Sequence, residues 1–180
     1  VYKRQGNDCL IQDVGLLANY VVGDGALVSR CDVVATRPGA TFGNGIELSI
    51  AIETGGREVK SFAEMTVADA EIICTHRADA KLLSEYEKLI ERYVEAVRCD
   101  VGTIETGARV CNTPKVTDAY VGPGAVIDNA RLVENVTLLS APDEKAEILD
   151  GAFVRNAILQ WGCEVASMAI VDESVMVEHS

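Results

Sequence analysis

A chain of 180 residues is long enough for one domain with a sizeable core, and its net charge of −12 argues against a nucleic-acid partner held through its phosphates. Hydrophobic residues make up 48% but aromatic ones only 5%, a composition that fits a narrow core of Val, Ile and Leu with little room for rings. No apolar run approaches the roughly 20 residues that span a bilayer, and no signal-peptide pattern is present, so a cytoplasmic setting without membrane contact is expected.

Residues 1–6 fall outside any repeat and read as a junction. From Asn7 onward aliphatic residues return at every sixth position: Leu10, Leu16, Val22, Val28 and Val34. Small residues such as Gly23-Asp24-Gly25-Ala26 sit between them. Arg37-Pro38-Gly39 breaks the phase, and from Glu47 to Glu53 the apolar Leu48, Ile50 and Ile52 alternate with other residues as in a strand. The first repeat block is therefore drawn over 7–59.

A helical period follows. Ser61-Phe62-Ala63-Glu64 reads as a capping box opening a helix from Phe62 to about Cys74. Asp79 is a good N-cap for a second helix, Ala80 to Arg98. Leu82, Leu83, Tyr86, Leu89, Ile90, Tyr93, Val94 and Val97 form its apolar stripe, which is expected to cover the repeat wall or a partner. This helical hairpin, 61–99, interrupts the repeats.

The six-residue step resumes over 101–180, through Ile104, Val110 and Val116, then after one missing residue through Val121, Ile127, Val133 and Leu139. Tyr120, Val126, Leu132 and Leu138 run one residue ahead. Ser140–Glu147 reads as a charged protruding loop, and Phe153, Leu159, Val165, Val171 and Val177 carry the period on. A period of six is neither helical nor a simple alternation. It marks a mainly β chain wound as a parallel β-helix of hexapeptide repeats, with three sides and about 18 residues per coil. An antiparallel fold would show irregularly spaced Asn-Gly or Asp-Gly hairpins, and Asp150-Gly151 is in phase with the repeats. The chain thus reads as one domain, 7–180, with the pattern still running at its end, as in a fragment of a longer protein.

Six cysteines without a C-x-x-C read as reduced thiols, and zinc-ligand spacing is absent, so no metal is expected. Two histidines cannot supply the three zinc ligands of a carbonic-anhydrase site. His76 falls in the turn between the helices and reads as solvated. His179, beside Glu178, is the candidate catalytic base. Gly55 and Gly56 let backbone approach a ligand, and Arg57 between acids suits an anionic group or an ion pair. Glu47, Glu53, Arg57 and Glu58 are expected to cluster, with Asn44 as a second donor. Asn44, Glu47, Glu53, Gly55, Gly56, Arg57 and Glu58 are then either a substrate-binding site or a structural lock.

The segment Phe42-Gly-Asn-Gly-Ile-Glu-Leu-Ser-Ile-Ala-Ile-Glu-Thr-Gly-Gly-Arg-Glu-Val59, with the helical hairpin and the return at Val101-Gly102-Thr103-Ile104, resembles a bacterial hexapeptide-repeat family of unassigned function. That family is related to the β-helix domains of glucosamine-1-phosphate N-acetyltransferase and nucleotide-sugar pyrophosphorylase. The resemblance implies a left-handed parallel β-helix assembled as a homotrimer. It also implies transfer from acetyl-CoA or another acyl-CoA to a sugar or sugar nucleotide, with no bound cofactor. The other reading is a non-catalytic trimeric scaffold or ligand-binding β-helix.

Overall fold

The structure, a computed structural model, describes residues 3–50 and 55–180. Among them the chain is mainly β: thirteen strands form one parallel sheet, two form an antiparallel pair, and there are two helices. The strands run in chain order as β1 (Lys3–Gln5), β2 (Leu10–Ala18), β3 (Tyr20–Val22), β4 (Leu27–Ala35), β5 (Glu47–Ser49) and β6 (Glu58–Lys60). The helices α1 (Val67–Thr75) and α2 (Ala80–Val97) follow. Then come β7 (Gly102–Ile104), β8 (Arg109–Cys111), β9 (Lys115–Val121), β10 (Val126–Asp128) and β11 (Leu132–Leu138). The last are β12 (Glu147–Leu149), β13 (Phe153–Leu159), β14 (Glu164–Val165) and β15 (Ile170–Met176).

The parallel pairs fall into three ladders. The first holds β1, β3, β7 and the second halves of β9, β11, β13 and β15. The second holds the first halves of β2 and β4, then β8, β10, β12 and β14. The third holds the remaining halves. The chain bends between ladders at single residues in left-handed conformation, Asn19 between β2 and β3 and Asp118, Asn135 and Asn156 within the long strands among them, with φ from 49° to 55°. Asn and Asp tolerate that region better than other side chains.

Residues in register lie 17 positions apart, as at Thr113 and Ala130. The offset grows to 21 across the loop before β12 and to 82 across the long insertion. Each ladder sends one column inward. Val28, Val110, Ile127 and Ile148 form one, Val34, Val116, Val133 and Val154 another, all fully buried, and Val22, Ile104, Val121, Leu138 and Leu159 a third.

This register corrects the strict six-residue phase. Inward residues step by six, six and five, because the passage from the third ladder to the first uses one residue fewer. The residue missing after Val116 is likewise missing between Val133 and Leu138 and between Val154 and Leu159. Leu10 and Leu16, placed inside by a step of six, are 53% and 46% exposed. Leu139, Phe153 and Val177 are half-buried off the core, and Ile11, Leu17, Val154 and Met176 pack inward in this register. At the N-terminus Lys3–Gln5 pairs with Tyr20–Val22 and belongs to the first ladder rather than to a junction.

The insertion leaves after Ala35 and returns at Gly102, so the first block ends well before Val59. Its departure interrupts the first ladder, where β7 and β9 pair from Thr103 onward but not at Gly102. Tyr20 fills the gap. Its hydroxyl donates to Ala119 O at 3.0 Å and accepts from Ala119 N at 3.1 Å. The ring passes over Gly102, where any Cβ would collide with it.

Within the insertion, β5 and β6 pair antiparallel as a hairpin. Helix α1 starts five residues later than the sequence motif suggests. Thr66 and Asp69 make the capping box, whereas Ser61 is buried, accepting from Ile46 N and donating to Gly43 O. Asp79 caps α2 as expected, through Leu82 N. The stripe of α2 packs on the hairpin and Phe62, whose ring meets Tyr93 edge-on at 5.7 Å, around a second core of Leu48, Val59, Met65 and Ile73. Leu89 is left 50% exposed.

Side-chain bonds fasten the insertion to the outer face of the first ladder. Thr137 donates to Phe42 O at 2.6 Å and Gly43 N donates to Asn135 Oδ1 at 2.7 Å. Gln160 donates to Ala63 O and Met65 O. Gly43 has φ 84°, and a Cβ there would stand 2.5 Å from Ala157 O, so only glycine fits. Among the described residues no helix is long and apolar enough to cross a membrane.

Candidate functional site

The hairpin dictates the site. Antiparallel pairing sets Glu47 opposite Lys60, and Ser49 opposite Glu58, on one face, with Leu48 and Val59 buried on the other. The polar face looks onto α2 and the turn between the helices. Together they form an open cleft of about 270 Å³ lined by Glu47, Glu58, Lys60, Arg77, Tyr86 and Glu87.

Lys60 Nζ donates to Glu87 Oε1 at 2.9 Å. That bond raises the lysine pKa and lowers that of Glu87. Tyr86 donates to Lys60 O at 2.6 Å, and burial pushes its phenol up to about 12. Glu58 is held below the usual carboxylate range by its own backbone N–H and that of Gly56, which donates to Oε1 at 2.7 Å. Arg77 Nη1 donates to Glu58 O at 3.4 Å. One such bond leaves most of the five guanidinium N–H donors for another acceptor.

The expected cluster is therefore rearranged. Glu47 and Glu58 do share a site, but Arg57 is exposed and forms no ion pair with either. Gly55 and Gly56 lie just before β6, with φ of 80° and 91°. Glu53 lies outside the described residues. Asn44 is buried elsewhere, donating to Thr41 O and Thr137 Oγ1. The cations of the cleft are Lys60 and Arg77, which the sequence reading missed. The glycines gave no signal for Lys60, since a turn centred on Gly55-Gly56 would set Glu64 across from Glu47, whereas the observed pairing sets Lys60 there. Arg77 enters only through the packing of the helical turn.

His179 stands apart. Gly25, Gly107, Gly124 and Gly162 occupy equivalent positions between the first and second ladders, all with positive φ and with Lys145 in register between the last two, and His179 takes the same position with φ 58°. A Cβ at Gly162 would collide with its ring. His179 Nε2 lies 3.9 Å from Glu144 Oε1, and both side chains are well exposed. His76 is exposed at the C-terminal end of α1, with Nδ1 3.0 Å from Ile72 O. All six cysteines are free thiols.

Among curated proteins, the chain is 30% identical over 171 residues to an "Uncharacterized protein" of Treponema pallidum (strain Nichols), which covers 89% of this chain. The chain spans about a quarter of that relative's length, 24%. No solved structure matches. The model of the family described as "Domain of unknown function (DUF4954)" matches residues 3–178, and the chain belongs to that family.

Proposed function

We propose that the chain is a ligand-binding segment of a left-handed parallel β-helix, and that its inserted hairpin and helices hold a sugar phosphate or the sugar-phosphate part of a sugar nucleotide. The three ladders and their 17-residue register support the helical winding. The observation that carries the binding role is the pairing of two cations, Lys60 and Arg77, with the carboxylates of Glu47, Glu58 and Glu87 in one open cleft. Carboxylates accept from sugar hydroxyls, and a guanidinium with free N–H groups takes a phosphate. Homotrimer formation is part of the proposal, through the uncovered outer face of the third ladder.

A second reading, acyl transfer from acetyl-CoA to an amino sugar, is favoured by the His179–Glu144 pair, since a carboxylate can orient an imidazole acting as general base. One calorimetric series separates the two. Glucosamine 1-phosphate is expected to bind, glucosamine at least tenfold more weakly, and Arg77→Ala to weaken the phosphate at least tenfold. No heat and no thermal shift at millimolar sugar phosphate would sink the binding role. Thiol release from acetyl-CoA that His179→Ala removes would establish the second reading.

A further inference from the structure

Within the open cleft of the insertion the charges do not cancel. Its lining carries three carboxylates, Glu47, Glu58 and Glu87, against two cations, Lys60 and Arg77. Glu58 is occupied by the backbone N–H of Gly56 at 2.7 Å, and Glu87 by Lys60 Nζ at 2.9 Å. Glu47 is left over. Strand pairing sets it across from Lys60, but that ammonium is turned to Glu87, and the Glu47 carboxylate makes no hydrogen bond or ion pair among the described residues.

An anion that enters beside Lys60 has to part it from Glu87. The pair is open to water, with side chains 34% and 58% exposed, and exposed pairs are weakly held, so a phosphate can make the exchange. A purely anionic ligand, however, leaves Glu87 without its cation. It also sets a new negative charge beside Glu47 and Glu87, both of which act on the Lys60 ammonium and repel an anion held there. A ligand that carries an ammonium group as well gives those carboxylates a cation in return, and every charge that binding disturbs is matched again.

We infer that the ligand of this cleft is a zwitterion, a sugar phosphate with a free amino group, its phosphate on Lys60 and Arg77 and its ammonium between Glu87 and Glu47. Arg77 brings the N–H groups left over from its one bond to Glu58 O. Ile73, Leu83 and Tyr86 line the same cleft and offer apolar surface to the C–H face of a sugar ring. A volume of about 270 Å³ falls just under the ~300–1,000 Å³ usual for drug-sized ligands, which gives room for one ring rather than a whole nucleotide. The inference rests on the sugar-phosphate reading and adds the second charge of the ligand and the residues that select it.

Glucosamine 1-phosphate, glucose 1-phosphate and N-acetylglucosamine 1-phosphate differ at one substituent of one ring, an ammonium, a hydroxyl and an uncharged amide. In calorimetry on the full chain near neutral pH, the first is expected to bind at least tenfold more tightly than the other two. Glu87→Gln removes both the competitor for Lys60 and a partner of the ammonium. It should weaken glucosamine 1-phosphate at least threefold and tighten glucose 1-phosphate at least threefold. Glu47→Gln should narrow the preference by weakening glucosamine 1-phosphate. A loosened fold would shift both ligands the same way, so the opposite signs separate ligand selection from a structural role of the Lys60–Glu87 pair, with thermal melting verifying that each variant is folded. Equal affinity for the three sugar phosphates, or a Glu87→Gln variant that shifts both ligands in one direction, overturns the inference and leaves the sugar-phosphate reading in place. No heat from any of the three overturns both.

Discussion

The hydroxyl of Tyr20 does the work of two ladder bonds where the chain departs for the insertion. It serves both backbone groups of Ala119 in a fully buried place. Tyr20→Phe keeps the ring over Gly102 but strands those groups, so urea unfolding should show a loss of about 1–3 kcal/mol with unchanged far-UV circular dichroism. Burial also pushes the Tyr20 phenol from 10.0 up to about 12. The folded chain therefore holds this proton more tightly than the unfolded one. The contribution is full below about pH 10 and is lost as pH rises through about 12. Tyr86, raised to about 12 as well, moves the same way. Melting temperature should fall over that alkaline range, and Tyr20→Phe should fall less steeply than the wild type. Nothing in the sequence marks Tyr20 for this role, because the residue it serves is 99 positions away.

Among the elements, the insertion is fastened to the coils by few side chains, and Gln160 is the most engaged of them. It is 5% exposed, donates to Ala63 O and Met65 O, and accepts from Glu178 N. Gln160→Leu is near in size but leaves those groups unpaired. The expected result is a loss of about 1–3 kcal/mol, with hydrogen exchange quickening over Phe62–Thr66 while the coil amides keep their protection. Uniform loosening would contradict a local fastening. The same region explains what was illegible. Ser61-x-x-Glu64 and Thr66-x-x-Asp69 both fit a capping box, and only the burial of Ser61 against Gly43 and Ile46 decides between them. Helix α2 was legible almost to the residue, since Asp79 and the apolar stripe act locally. What the stripe covers was not, because the hairpin beneath it is set by the antiparallel pairing of β5 with β6.

For the molecule as a whole, the recurrence of aliphatic residues was legible but its length was not. A count of six fits any short run, and only the register of the ladders reveals that the step from the third ladder to the first is five. That single residue decides which of Leu138 and Leu139, or Phe153 and Val154, faces the core. It also decides what faces outward. Leu16, Val33, Leu132, Phe153 and Ile170 then form one column on the outer face of the third ladder, with Leu16 46% and Ile170 76% exposed. Lys115 interrupts the column and pairs with Glu134 at 2.6 Å. Parallel sheets are ordinarily covered on both faces. The insertion covers the first ladder, and nothing among the described residues covers the third. The trimer proposed above would set equivalent faces of further copies against this column, heterologous contacts giving a ring where the rotation closes. The prediction is a trimer by light scattering. Leu132→Asp and Phe153→Asp, both on outward positions, should shift it to monomer without loss of β-structure by circular dichroism. Each copy carries −12, so the copies repel at long range, and added salt should strengthen association by screening that repulsion. A wild-type chain that stays monomeric at about 100 µM in high salt, or one whose association both substitutions leave intact, would contradict this.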